Sequence, residues 1–98
     1  MTDNMLVGGW YINPERVEGN TQISEESQSL FDEAVQGLDG AGYFPLLYCG
    51  GQVVAGQNHM FIARQTLVLQ TPVHHVVQMI IYKPLNGKAT ITLIKRLL

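Results

Sequence analysis

Gln52-Val53-Val54-Ala55-Gly56-Gln57-Asn58 lies between two runs rich in β-branched, leucine and aromatic residues, 42–54 and 58–71. Two valines leading directly into Ala55-Gly56-Gln57 indicate a strand, a tight reversal and a second strand. Two more runs of the same kind follow, 74–83 and 88–97, set off by Thr71-Pro72-Val73 and Pro84-Leu85-Asn86-Gly87. Asn86-Gly87 is a strong tight-turn signal. Connections this short predict an antiparallel meander, because parallel strands need long crossovers. Pro45 and Gly50-Gly51 interrupt the first run and mark a place for a bulge or bend. In the last run, Ala89, Ile91 and Leu93 make a better inner face than Thr90, Thr92 and Ile94. In the run 74–83, Val77, Met79 and Ile81 oppose Val76, Ile80 and Tyr82, so both faces are partly apolar. One helix cannot cover both faces of such a sheet.

Upstream of the strands the spacing predicts a helix over 24–38. Leu30, Phe31, Ala34, Val35 and Leu38 form one apolar stripe. Ser24 is placed to cap it, with Glu25 and Glu26 in the first turn, where the helix dipole favours acids. Gly37, Gly40 and Gly42 supply the stop. Before the helix, Met5-Leu6-Val7, Gly8-Gly9 and Trp10-Tyr11-Ile12 read as a fraying end and a short edge strand, ended by Asn13-Pro14. The expected class is α+β, with an antiparallel sheet of four to five strands and one helix. Residues 1–98 are expected to form a single domain, with 1–9 as a flexible trunk.

The chain has 98 residues, 46% of them hydrophobic and only 14% charged. A core is easily built, and whole-chain disorder is excluded. All eight acids lie in residues 1–40 beside one base, Arg16, for a charge of −7. Residues 41–98 carry five bases and no acid, for +5. The five bases are too dispersed for a nucleic-acid surface. One cysteine, Cys49, makes no internal disulfide. The polar, acidic start lacks a signal-peptide pattern, and no run approaches 18 apolar residues. A cytoplasmic, reducing setting fits best, with no membrane partner.

Catalytic equipment is sparse. His59, His74 and His75 are the only histidines, and no carboxylate accompanies them in residues 41–98. Adjacent His74 and His75 point to opposite faces of a strand. A zinc site is a minor reading, as is Cys49 with a histidine, which would lack an orienting acid. Neither a metal nor a cofactor is expected, and the chain does not read as an enzyme. What it does carry is apolar residues in turns and near a free end: Gly8-Gly9-Trp10, Gln52-Val53-Val54-Ala55-Gly56 and Pro84-Leu85-Asn86. In a meander the two turns open at the same end of the sheet. The bland reading has Leu85 packing back; the functional reading is an apolar wedge for a partner's groove.

Gln52-Val53-Val54-Ala55-Gly56, with Asn58 behind it, resembles the signature first hairpin of the cystatins. Gly8-Gly9 resembles their N-terminal glycine, and Pro84-Leu85-Asn86 stands where they carry a second hairpin. Among cystatins the chain is most similar to the stefins, the type without disulfides or signal peptide. The resemblance spans residues 8 to about 94. It implies a sheet wrapped around one helix and reversible, tight inhibition of papain-like cysteine peptidases by occlusion of the active-site cleft. Carried over, Leu6 and Val7 would fill non-primed pockets. Gly8 or Gly9 would bend the trunk away from the catalytic cysteine. Val53, Val54 and Ala55 would cover the cleft rim, and Leu85 would dock on the primed side. The chain departs from the pattern at Trp10 after the glycines, at His59 in place of an aromatic, and at Asn86 in place of a proline. The family also exchanges domains by opening the first hairpin, so the alternative is a non-inhibitory binding or structural module, such as a domain-swapped homodimer.

Overall fold

The breakers after residue 40 become the turns of a continuous meander. The structure, a computed structural model, describes residues 9–98. Its elements are β1 (Trp10–Ile12), α1 (Pro14–Val17), α2 (Glu25–Val35), β2 (Ala41–Val54), β3 (Gly56–Leu67), β4 (Val73–Lys83) and β5 (Thr90–Arg96). The strands form one sheet in the order β1-β2-β3-β4-β5, with every neighbouring pair antiparallel. The class is α+β: a five-stranded antiparallel sheet with one substantial helix.

α2 begins where its cap residues put it. Ser24 Oγ accepts from the Ser27 amide at 3.1 Å, and Glu25 and Glu26 occupy the first turn. It ends at Val35, earlier than the apolar stripe suggested, as the chain turns through Gly37 (φ +83°). Leu38 is therefore left 44% exposed instead of joining the stripe. The stripe buries Phe31 completely, edge-on to Phe61 at 5.1 Å between ring centroids. Leu30, Ala34 and Val35 pack against the same core of Tyr48, Phe61, Ala63, Val77, Met79, Ile81 and Ala89. Edge-to-face aromatic pairs of this kind contribute roughly 0.5–1.5 kcal/mol beyond the area they bury.

Three irregularities decide which residues reach that core. Pro45 pairs with Ala63 and Tyr48 with Phe61, although they are three apart and would face opposite ways on a regular strand. The extra residue, Leu46, restores them to one face. A second extra residue, Cys49, does the same between Tyr48 and Gly51. The interruptions expected at Pro45 and at Gly50-Gly51 are thus real bulges. A third, at Thr92, was not foreseen. Ile91 pairs with Ile81 and Ile94 with Met79 on the helix side, while Leu93 sits opposite Ile80 on the outer side. Leu93 therefore drops out of the inner set, Ala89 and Ile91 stay in it, and Ile94 turns to the helix side but remains 39% exposed.

α1 is an element beyond the sequence reading. Asn13 Oδ1 accepts from the Glu15 amide at 2.9 Å, and Pro14 supplies a first helical residue that needs no amide partner. This turn aims Arg16 inward, its side chain only 8% exposed. The guanidinium donates to the carbonyls of Tyr48 (3.1 Å), Gln22 (3.0 Å) and Asn20. The one base of the acidic segment thus clamps the chain between β1 and α2 onto the edge of β2. Close approach of β1 depends on Gly50, where a Cβ would lie 1.9 Å from the Tyr11 carbonyl oxygen.

Candidate functional site

The two hairpins meet at one end of the sheet, and glycine makes the contact possible. Gly56, in the β2–β3 turn, has φ +96°, a conformation that residues with a side chain rarely adopt. A Cβ there would stand 2.4 Å from the Lys83 carbonyl oxygen and 2.9 Å from Pro84 Cα. The first turn is therefore seated directly on the backbone that enters the second. Tyr82 reinforces the seat by donating its hydroxyl to the Ala55 carbonyl. Val53, Val54, Gly56, Gln57, Lys83, Pro84 and Leu85 line a shallow groove of about 460 Å³ between the hairpins.

The second hairpin is held from below. Glu33 Oε1 accepts from the Ala89 amide at 3.0 Å and from Lys83 Nζ at 3.2 Å, and Lys83 also donates to the Gly87 carbonyl at 2.8 Å. The amide of Ala89, and then the Lys83 ammonium, hold the Glu33 carboxyl below its ordinary pKa. Both ends of the loop are tied to α2 while the tip projects. Leu85 is 80% exposed and does not pack back. An aliphatic side chain held out in water on an anchored loop is a natural contact residue.

β1 brings the N-terminal side to the same end. Trp10 pairs with Gln52, two residues before the turn, and Gly9 directly precedes β1. Trp10 is 38% exposed. Asn58 Nδ2 donates across the strands to Gln52 Oε1 at 2.8 Å. Gly9 and Trp10, the segment Gln52 to Gly56, and Pro84, Leu85 and Asn86 thus form one edge. Leu6, Val7 and Gly8 lie outside the described residues, as does most of the expected trunk.

Beneath this edge His59 packs against Tyr48. It faces Gly51 across the strands, and its ring stands beside Tyr48 at 5.7 Å between centroids. Its Nδ1 is 2.8 Å from the Tyr48 hydroxyl. Burial holds the imidazole below its ordinary pKa and pushes the Tyr48 phenol well up, so both are neutral at pH 7. The other histidines sit apart, His74 bonded to Thr66 at 2.9 Å and His75 to Gln65 at 3.0 Å. Among the described residues, no three His, Cys, Asp or Glu side chains are grouped to hold a metal. Cys49 lies among Trp10, Tyr11, Ile12, Gly50 and Met60. Burial raises its thiol pKa, which is opposite to what an activated nucleophile needs. Comparison of the chain with family models, with characterised proteins and with solved structures returned no significant match.

Proposed function

We propose that the chain is a cystatin-like inhibitor that closes the active-site cleft of papain-like cysteine peptidases with the edge just described. The observation that carries this reading is the convergence of three separate segments, two hairpins and the N-terminal strand, at one end of the sheet, each with exposed apolar surface. The order of elements supports it too: a short strand, a single helical turn, one longer helix, then a four-strand meander. The wedge acts by complementarity alone. Val53, Val54 and Ala55 would lie across the cleft, Leu85 would enter the primed side, and Gly9 would lead Leu6 and Val7 into the non-primed side. Apolar contact supplies affinity, and backbone groups at the turns supply register. On this reading no step beyond binding is required. Its partner would share the cytoplasmic setting expected from the sequence.

The test is a comparison of inhibition constants against papain for the wild-type chain, Gly9→Glu and Leu85→Asp. Glu at position 9 should weaken inhibition at least tenfold by crowding the trunk, and Asp at position 85 by placing a charge in an apolar pocket. Thermal melts should change little. Constants equal to wild type for both folded variants reject the mechanism. A second reading, a swapped homodimer, is favoured by the geometry of Val54-Ala55-Gly56. If β2 ran straight on into β3, that short turn would be opened and the remaining strand pairs could form with a second copy. Such a dimer would lose the first hairpin and with it the inhibition.

A further inference from the structure

The end of the sheet opposite the two hairpins is apolar and lies beside a set of bases. The last rung across β2, β3 and β4 is Ala41, Leu67 and Val73. Beyond it two loops adjoin, the Val68 amide donating to the Gly40 carbonyl at 3.0 Å. Leu38, Val68, Leu69 and Val73 are exposed there by 44, 70, 57 and 39%. Aliphatic side chains gathered on two adjoining loops and the strand rung beside them differ from the singly scattered ones of an ordinary surface. The one acid in these loops is Asp39. Behind them stand Arg64 opposite Val76, Arg96 opposite Val77 and Lys95 opposite Gln78. At about 3.3 Å per residue, these positions lie roughly 10–17 Å behind Val73. The Arg64 guanidinium rests 4.9 Å from the ring centre of the exposed Phe44.

We propose that this end docks on an anionic lipid bilayer, with the four aliphatic side chains entering the interface and the three bases meeting the head groups. An apolar tip with a basic collar combines the two forces that hold peripheral proteins on such a surface. Long basic side chains also reach along the protein toward the head groups. A second copy is the weaker occupant. Four side chains fall far short of the about 800 Å² per partner that a stable interface buries, and an end-to-end pair would bring two basic collars together. Among the described residues no helix is long and apolar enough to span a membrane. Docking of this kind needs none, and the expectation of no membrane partner rested on the missing span. The molecule is 49 Å long, so the hairpin edge would face away from the bilayer, whatever that edge binds.

The experiment is vesicle flotation of the full chain with phosphatidylcholine alone and with phosphatidylcholine containing about one-third phosphatidylserine. Wild type should float with the anionic vesicles, more weakly at high salt. Leu69→Asp should lower binding tenfold or more, and Arg96→Gln about fivefold, as expected for one basic charge near such a surface. Thermal melts establish that both variants are folded. The proposal is overturned if folded wild type stays with the soluble fraction, if Leu69→Asp floats as well as wild type, or if neutral vesicles bind equally. It is also overturned if sedimentation velocity shows self-association that Leu69→Asp abolishes, which would assign the tip to a second copy.

Discussion

Gly56→Ala probes the joint between the two hairpins. The backbone at φ +96° lies outside the regions that alanine adopts easily, which costs about 1–3 kcal/mol. The new methyl would then meet the Lys83 carbonyl oxygen at 2.4 Å and Pro84 Cα at 2.9 Å. Neither neighbour is a side chain that can rotate away. The second hairpin must move, for which overpacking of a close-packed site suggests a further 1–3 kcal/mol. The total is about 2–6 kcal/mol. A domain of this size loses roughly 4–8 °C of melting temperature per kcal/mol, so Tm should fall by about 8 °C or more. Differential scanning calorimetry measures the shift, and the NMR resonances of Leu85 report whether the loop has moved. A melt within about 3 °C of wild type, with unmoved Leu85 resonances, would refute the claim that the hairpins touch at Gly56.

Three further outcomes follow from the packing and the titrating groups. Phe31→Ala removes the one fully buried side chain of α2 and should cost about 3–5 kcal/mol, read as a lower urea midpoint with an unchanged slope. His59 binds its proton less readily folded than unfolded, so stability should be full above its ordinary pKa of 6.5 and decline as pH falls below it. His59→Phe, which keeps the ring, should flatten that decline in melts between pH 7 and about pH 5. Glu33→Gln weakens the tie between α2 and the second hairpin, and hydrogen exchange at the Ala89 amide should speed up. In the wild type the same loosening should come with acid. Glu33's contribution is present above the ordinary value of 4.5 and is lost as pH falls through its lower folded pKa.

The strands and their order were legible because each run is bounded by Gly, Pro or Asn, and short breakers admit only antiparallel neighbours. The N-terminus of α2 was legible from Ser24 and the two glutamates, its stop only in part. Which face each strand residue takes was harder to read. The extra residues Leu46, Cys49 and Thr92 each reverse the alternation, and nothing local announces the one at Thr92. These bulges answer to tertiary packing, since Tyr48 must reach Phe61 and Ile94 must sit opposite Met79. α1 had a signal, Asn13 capping before Pro14, that doubled as a strand stop. Arg16 and His59 acquire their partners only when distant segments meet, so spacing along the chain was silent about both. For the candidate site, the two hairpins and Trp10 were placed by topology. The seating of Gly56 on Lys83 and Pro84, which fixes the hairpins together, appears only in three dimensions.

The most direct test of the account is an active-site titration of papain with the purified chain, following residual activity on a small fluorogenic substrate. The account predicts a one-to-one loss of activity by the monomer at nanomolar concentration, with the chain recovered uncleaved. Full papain activity in the presence of micromolar folded monomer would contradict it.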